Sequence, residues 1–174
     1  MMSTAQPTHA NLVDVLHHHA RSIPDRTLYR FVGATDSEHE PTLSYAGLDR
    51  SARRIAAALQ ARTGHVALLL YPPGLAFIEA FMGCLYAGVI AVPVYLPNTR
   101  SESWDRLSII AADAGADLLL TDGAHGEAVE RWLEDGAPSG MSALDTVALE
   151  DDDPYVPASL QDDDIAFLQY TSGS

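Results

Sequence analysis

Residues 66–97 read VALLLYPPGLAFIEAFMGCLYAGVIAVPVYLP and decide the fold of this chain. The stretch begins with an apolar run of strand length, which the PPG sequence at 72–74 ends abruptly. The apolar pattern then predicts a helix over 75–87 and a second strand over 89–95. A strand that is apolar at every position must be buried on both faces, as in a parallel sheet covered by helices. The stretch therefore predicts a strand–helix–strand unit with parallel strands.

The same alternation of strands and helices continues on the carboxyl side of this unit. The predicted elements are a helix over 101–114, a strand over 117–121, a helix over 127–133, a short strand over 145–149 and a buried strand over 165–170. Repeated units of this kind form a doubly wound, mainly parallel sheet with helices on both faces. We therefore predict an α/β fold.

The amino-terminal third predicts further elements that cover this sheet. Asn11 is expected to cap a first helix, and Ser44 a second helix that ends near Gly64. Between these helices lie two predicted strands, over 27–32 and 42–45. The second helix is expected to carry four arginines into water: Arg50, Arg53, Arg54 and Arg62.

The charge of the chain restricts its partners. Its 174 residues, 47% of them apolar, include ten arginines, no lysine and 24 acidic residues, for a formal charge of -14. Nucleic acid is disfavoured because phosphate backbones are bound by clustered Lys and Arg. Ten of the acidic residues lie in residues 132–174, which contain no Lys or Arg. Within that region, EDDDPYVPASLQDDD at 150–164 predicts an acidic connection on the surface.

Cysteine usage and the amino terminus favour a cytoplasmic location. A lone cysteine, Cys84, cannot form an intramolecular disulfide, and the first residues carry no secretory signal pattern. Residues 76–96 are long enough to span a bilayer but contain Glu79, Gly88 and Pro93. These charged and helix-breaking residues predict a helix followed by a strand rather than a transmembrane segment.

The TSGS sequence at 171–174 carries the strongest chemical signal. Ligands of open α/β sheets bind at the carboxyl ends of strands, where such a turn can aim N–H and hydroxyl groups at phosphate oxygens. Candidate phosphate-binding residues are therefore Thr171, Ser172, Gly173 and Ser174. On composition alone a plain surface turn is favoured, and the nucleotide site is the alternative that context must support.

Histidines and acidic runs invite a metal interpretation that their spacing disfavours. His17, His18 and His19 are adjacent, and neighbouring helical residues point about 100° apart, so they cannot share one ion. A solvated helix face is the prediction for these three residues. The acidic triplets at 151–153 and 162–164 lack the alternating ligand spacing of a calcium loop.

Other reactive or aromatic side chains favour structural roles. Cys84 lies in an apolar helix, which favours burial over nucleophilic catalysis. Ser172 lacks the GxSxG elbow of a serine nucleophile. Phe77, Phe81 and Tyr86 could line an acyl tunnel, but their helical spacing in an apolar segment favours a core position.

Four stretches together resemble a known enzyme family. The ending DDDIAFLQYTSGS resembles the start of the signature phosphate loop of adenylate-forming enzymes, which continues as TSGSTG, a variable residue and PKG. The stretches at 43–60, 71–97 and 105–121 follow in the order and spacing expected near the start of such enzymes. The PPG turn and the GCLYAGVIAVPVYLP run are similar to fatty acyl-AMP ligases, rather than to acyl-CoA synthetases or amino-acid-activating domains. The resemblance extends from about Leu12 to Ser174.

The resemblance implies a two-step reaction that uses ATP and Mg²⁺. A fatty acid attacks the α-phosphate of ATP to give acyl adenylate and pyrophosphate, and the acyl group then passes to the phosphopantetheine thiol of an acyl carrier protein. The implied setting is a polyketide, nonribosomal peptide or lipid assembly system. The residues at 171–174 would hold the β- and γ-phosphates of ATP.

The resemblance also implies that residues 1–174 are an incomplete N-terminal subdomain of an acyl-adenylating, AMP-binding domain. The family's loop lysine, adenine and ribose contacts, magnesium-binding acid and catalytic lysine all match sequence beyond Ser174. We therefore expect the isolated chain not to make acyl adenylate. Two alternatives stay open, namely a non-catalytic scaffold that docks a partner and part of a fatty acyl-CoA synthetase.

Overall fold

The structure is a computed structural model that describes residues 11–33, 40–62, 64–97, 101–150 and 154–171, the side chains of 101–103 excepted. Its helices are α1 (Leu12–Ser22), α2 (Tyr45–Leu59), α3 (Leu75–Ala87), α4 (Ser101–Ala114) and α5 (Gly126–Asp135), with a 3₁₀ turn at Gln60–Arg62. Its strands are β1 (Thr27–Arg30), β2 (Thr42–Ser44), β3 (Val66–Leu70), β4 (Ile90–Val94), β5 (Leu118–Thr121) and β6 (Ser142–Asp145). The predicted α/β class is confirmed.

The main sheet has four parallel strands in the order β4-β3-β5-β6. In its register, Leu68 of β3 lies between Val92 of β4 and Leu119 of β5. Strands β1 and β2 form a separate antiparallel pair. Within this sheet, β3 pairs with a strand on each side, whereas β4 pairs with β3 alone. The stretch at 66–97 therefore supplies one central strand and one edge strand.

Helices cover both faces of the sheet, as predicted. Leu69 of β3 faces a core shared with α1, α2 and α3, whereas Leu68 and Leu70 face a second core built by α4 and α5. All three leucines are fully buried. The continuous apolar run in β3 is therefore explained by burial on two faces.

Side-chain caps set the starts of the first two helices. The Asn11 Oδ1 atom accepts a hydrogen bond from the Asp14 amide at 3.0 Å, and the Ser44 Oγ atom accepts one from the Gly47 amide at 3.1 Å. Both contacts satisfy amides in the first turn that have no partner within the helix. The two predicted caps are confirmed.

The strand predicted over 145–149 is wrong in position. Strand β6 ends at Asp145 rather than beginning there. The Asp145 Oδ1 atom accepts hydrogen bonds from the amides of Val147 at 2.9 Å and Ala148 at 3.3 Å. Such a side-chain turn competes with extended structure, so the apolar residues after Asp145 lie outside the sheet.

The prediction of a buried strand over 165–170 is also wrong. This segment makes one isolated parallel bridge, between Phe167 and Ala91 of β4, and Ile165 and Phe167 are 58% and 47% exposed. Its backbone pairs with the edge strand β4 through Ala91, whose carbonyl accepts from the Leu168 amide at 2.9 Å. Among the described residues, this segment has a neighbouring strand on one side only, namely β4. Its apolar side chains are therefore not fully buried.

Two of the arginines predicted to lie in water are held by other groups. The Arg53 Nε atom donates to Asp49 Oδ2 at 2.7 Å, and its guanidinium carbon lies 5.2 Å from the centre of the Tyr155 ring. The Arg54 Nη1 atom donates to the Leu149 carbonyl at 3.3 Å. These contacts attach the acidic connection to α2. Arginine can make them because its aliphatic part packs against apolar surface while its guanidinium group binds polar or aromatic groups.

His17 does not belong to a solvated face, contrary to the prediction for the three histidines. Its ring packs edge-on against Tyr86 at 4.8 Å, and its Nε2 atom lies 3.4 Å from Asp49 Oδ1. Burial, reinforced by the nearby Arg53, lowers the pKa of His17, while Asp49 opposes the shift. The charged form of His17 is therefore disfavoured in the folded protein.

Close packing of α2 on α3 depends on a glycine. A Cβ atom at Gly83 would lie 2.5 Å from the Ile55 Cγ2 atom. We expect Gly83→Ala to lower the free energy of unfolding by about 1–3 kcal/mol, because the overlap must be relieved by moving the helices apart. Urea denaturation measures this loss. Gly126→Ala is the control, since a Cβ there meets nothing within 4 Å; equal losses in both variants would contradict the packing explanation.

The lowered pKa of His17 predicts acid sensitivity. The folded state binds fewer protons than the unfolded state between the lowered pKa and the ordinary value of about 6.5, so stability falls as the pH falls through this window. His17→Gln should flatten the dependence of the unfolding free energy on pH. The control is His125→Gln, which makes the same substitution at an exposed histidine directly before α5. A His17→Gln variant with an unchanged slope would refute the assignment.

Candidate functional site

An aromatic groove lies at the carboxyl ends of β3 and β4. These ends meet at one edge of the sheet because the two strands are parallel, and the segment over 165–170 runs beside them. The groove has a volume of about 530 Å³. Six aromatic side chains line it: Tyr71, Phe77, Phe81, Tyr95, Phe167 and Tyr170. Ligands of open α/β sheets bind at this edge.

The turn after β3 and the first turns of α3 form one wall of the groove. Phe77 and Phe81 stand one helical turn apart with ring centres separated by 6.2 Å, and Phe81 meets Phe167 edge-on at 5.7 Å. Tyr71 hydrogen-bonds through its hydroxyl to Thr146 Oγ1 at 2.8 Å. Burial raises the pKa of Tyr71, so this hydroxyl stays protonated and serves as a fixed polar group.

Tyr170 forms the boundary between this groove and a smaller cleft. Its hydroxyl donates to Asp113 Oδ2 on α4 at 2.5 Å, and this hydrogen bond raises the pKa of Tyr170. The smaller cleft, about 220 Å³ in volume, is also lined by Arg106. Arg106 therefore places a cationic side chain beside the residue that precedes the TSGS sequence.

The structure describes part of the predicted phosphate-binding turn. Thr171 is exposed and directly follows Tyr170, at the same edge of the sheet as the groove. Ser172, Gly173 and Ser174 lie outside the described residues. Their predicted contact with phosphate stays a prediction, and so does the low expectation for Ser172 as a nucleophile.

The remaining candidates separate into core and surface. Cys84 is fully buried, as predicted, and burial raises the pKa of its thiol to about 12, which disfavours the thiolate that a nucleophile needs. Tyr86 is fully buried in the core as predicted. Phe77 and Phe81 pack against the core and are also partly exposed to the groove, so the core interpretation is incomplete for them.

Metal ligands were disfavoured by the sequence spacing, and among the residues that the structure describes no three His, Cys, Asp or Glu side chains are grouped to hold an ion. Asp162, Asp163 and Asp164 are exposed, and Asp164 Oδ2 accepts from the Gln161 amide at 2.8 Å. The residues 151–153 lie outside the described ranges.

None of the helices in the described part of the chain has the length and apolar character needed to cross a membrane.

Sequence reasoning missed the contact between Tyr170 and Asp113, because the two residues are 57 positions apart. The available signal was a tyrosine at the end of an apolar run, since a phenol packs its ring while its hydroxyl seeks a partner. Nothing in the local pattern of α4 distinguishes Asp113 from the exposed Asp105.

Comparison with known proteins gives consistent matches over the chain. The family described as AMP-binding enzyme matches residues 16–174. A protein of Moorena producens named medium-chain-fatty-acid–[acyl-carrier-protein] ligase JamA is 33% identical, over 98% of this chain and 30% of the relative. A Mycobacterium tuberculosis protein named long-chain-fatty-acid–AMP ligase FadD23 is 35% identical, over 87% of this chain and 27% of the relative.

A solved structure supports the same assignment. A fatty acyl-adenylate ligase from L. pneumophila, in complex with acyl adenylate and pyrophosphate, superposes with a TM-score of 0.82 at 35% identity. The match covers 96% of this chain and 29% of that protein. The chain thus spans less than a third of the length of these proteins, and the resemblance to fatty acyl-AMP ligases is confirmed.

Proposed function

Because the chain belongs to the AMP-binding enzyme family, we propose that it is part of a fatty acyl-AMP ligase that activates a fatty acid with ATP. The observation that carries the proposal is the aromatic groove, which lies beside the segment leading into the TSGS sequence. The groove supplies an apolar surface for an acyl chain. The following turn would supply polar groups for the phosphates of ATP.

In the proposed reaction, a carboxylate oxygen of the fatty acid forms a bond to the α-phosphorus of ATP. The bond from that phosphorus to the bridging oxygen of the β-phosphate breaks, and pyrophosphate leaves with the electron pair. The product is an acyl adenylate, in which AMP is a good leaving group. Because both reactants are anionic, catalysis of this step rests on positioning and on stabilising phosphate charge.

We assign Thr171, Ser172, Gly173 and Ser174 to the β- and γ-phosphates. Backbone amides and hydroxyls of a turn at a strand end can donate several hydrogen bonds to one phosphate. Arg106 is the cationic side chain that lines the neighbouring cleft, and it would offset part of the charge. The described residues supply no cluster for Mg²⁺, so they do not fit a magnesium site and no step is assigned to that ion.

The groove favours an acyl chain over a polar substrate. Three phenyl rings line it, and the Phe81 ring contacts those of Phe77 and Phe167. Each methylene group removed from water contributes about 0.8 kcal/mol, so a chain of several carbons can be held without a charged partner. The carboxylate end would then point toward the turn at Thr171.

The acyl acceptor in this proposal is the thiol of an acyl carrier protein, within a polyketide, nonribosomal peptide or lipid assembly system in the cytoplasm. The relative JamA is named as an acyl-carrier-protein ligase. Coenzyme A is the second candidate, because a Mycobacterium tuberculosis relative 31% identical over 95% of this chain is named as a fatty-acid–CoA ligase. Supplying the adenylate with each thiol in turn, and detecting the thioester, distinguishes the two acceptors.

The 174-residue chain alone should release no pyrophosphate from ATP, Mg²⁺ and a fatty acid, because it has no lysine and carries a net charge of -14. The polypeptide encoded by the complete reading frame should release pyrophosphate when the fatty acid is added. The sequence that follows Ser174 should continue as TGxPKG. A stop codon at that point would support the non-catalytic scaffold instead, and turnover by the 174-residue chain would refute its predicted inactivity.

Narrowing the groove should change the preferred length of the fatty acid. Phe77→Trp in the complete polypeptide is expected to raise KM for long-chain acids several-fold while sparing short ones, because the larger ring fills space needed by the distal carbons. Val147→Ala is the control, since Val147 is 58% exposed and does not line the groove. An equal change of KM for every chain length would exclude the groove as the acyl site.

A further inference from the structure

We propose that a second pocket, between α1, the end of α3 and residues 160–166, holds the distal end of a long acyl chain. The inference rests on the proposed function, because it extends the groove assigned there to the fatty acid. This distal pocket has a volume of about 420 Å³. Its apolar lining includes Val13, Leu85, Val89, Leu160 and Ile165.

One face of α3 connects the groove with the distal pocket. Phe77 and Phe81 line the groove, and Leu85 lines the distal pocket. Residues four positions apart lie on the same side of a helix, one turn further along. Because α3 connects two parallel strands, it runs from their carboxyl ends back toward their amino ends. An acyl chain that follows this face of α3 from the groove therefore reaches the distal pocket.

The segment over 165–170 forms the opposite wall of both openings. Phe167 lines the groove, and Ile165 lines the distal pocket. Alternate residues of a strand-like segment point to the same face, and the contact between the Phe167 and Phe81 rings shows that this face is turned toward α3. Both walls thus continue from one opening into the other.

Phe81 and Phe167 stand between the groove and the distal pocket. Their ring centres lie 5.7 Å apart in an edge-on arrangement. Phe167 is 47% exposed, and exposed side chains change rotamer within nanoseconds. The ring pair therefore ends the site for a short acyl chain, whereas a longer chain passes it when the Phe167 ring turns aside.

The rim of the distal pocket determines which end of a fatty acid enters it. Asp162 and Asp164 line this rim, and both are exposed. A carboxylate is repelled there, whereas the methyl end of an acyl chain carries no charge. The substrate carboxylate thus stays at the Thr171 end of the groove. A long dicarboxylic acid is disfavoured, because its second carboxylate would reach the acidic rim.

The preference of the complete polypeptide for chain length tests this inference by ATP–pyrophosphate exchange. Each methylene group that the distal pocket removes from water should lower KM for the fatty acid about fourfold. Ile165→Trp fills the pocket from its exposed wall. It should raise KM for hexadecanoic acid relative to octanoic acid about tenfold, the effect of one to two methylene groups.

A second variant opens the path between the two sites. Phe167→Ala removes the ring that a long chain must displace. The ratio of KM for hexadecanoic acid to KM for octanoic acid should then fall about two- to tenfold, as expected for a lost aromatic pair. Adding Ile165→Trp to Phe167→Ala should abolish this gain, because the two residues act on one path.

The acidic rim supplies a readout that depends on charge rather than on shape. Replacing Asp162 and Asp164 together by Asn should lower the ratio of KM for hexadecanedioic acid to KM for hexadecanoic acid about two- to fivefold, as expected for exposed charges. An unchanged ratio would contradict the placement of the chain end at this rim.

Matched controls make the same substitutions outside both pockets. Ile109→Trp replaces a residue of α4 that is 68% exposed and lines neither opening, and it should keep the wild-type ratio for hexadecanoic and octanoic acids. Asp105→Asn with Asp135→Asn removes two exposed carboxylates from α4 and α5, and it should keep the ratio for the dicarboxylic acid. Thermal melting shows whether each variant is folded.

The outcomes separate this inference from the proposed function. An active polypeptide whose Ile165→Trp variant keeps the wild-type ratio would overturn the distal pocket and leave the groove as the acyl site. An equal rise of KM for both acids would overturn it too, because that pattern indicates a general defect. If Ile165→Trp does not fold, an unchanged ratio in Phe167→Ala decides against the pocket. A wild-type polypeptide without fatty-acid-dependent exchange would refute the proposed function itself.

Discussion

Burial of β3 on both faces is the constraint on which the rest of the structure depends. Leu68, Leu69 and Leu70 have no exposed surface, and they face two different helical layers. A strand of this kind is stable only when helices cover each face and strands pair with each edge. The order β4-β3-β5-β6 and the division of the helices between the two faces follow from this requirement.

The same constraint places the candidate site. Since β3, β4 and β5 are parallel, the turns that follow them leave the sheet on one side. The PPG turn starts α3 there, and α3 contributes the phenyl rings of the groove. The segment that precedes the TSGS sequence is bridged to Ala91 near the start of β4 and runs parallel to that strand toward this edge. The aromatic groove and Thr171, the first residue of the predicted phosphate-binding turn, thus lie at neighbouring strand ends, where open α/β sheets bind their ligands.

Polar contacts between distant residues attach the outer elements to this core. Asp49 of α2 accepts from the Tyr86 hydroxyl at 2.7 Å and from Arg53 Nε at 2.7 Å, and His17 lies 3.4 Å away. Burial, with the Asp49 hydrogen bond, raises the pKa of Tyr86. The cluster joins α1, α2 and α3, and Tyr155 connects it to the acidic segment. Because polar groups lose hydration on burial, the hydrogen bonds that Tyr86 and Arg53 donate to Asp49 compensate for the water these groups lose.

The sequence by itself determined the elements whose pattern is local. The burial of β3, the bounds of α3 and the caps at Asn11 and Ser44 all follow from residues within a few positions. These residues set the spacing of apolar side chains, the Gly and Pro interruptions and the side-chain hydrogen bonds. The TSGS sequence predicted a phosphate-binding turn only together with the family resemblance of the other stretches. Tertiary structure alone decided that 165–170 lies at an exposed edge, that Asp49 accepts a hydrogen bond from Arg53 beside His17, and that Tyr170 donates to Asp113. The reason is physical: apolar periodicity reports the burial a segment needs, whereas the partner of a polar side chain depends on which distant residue the fold brings within about 3 Å.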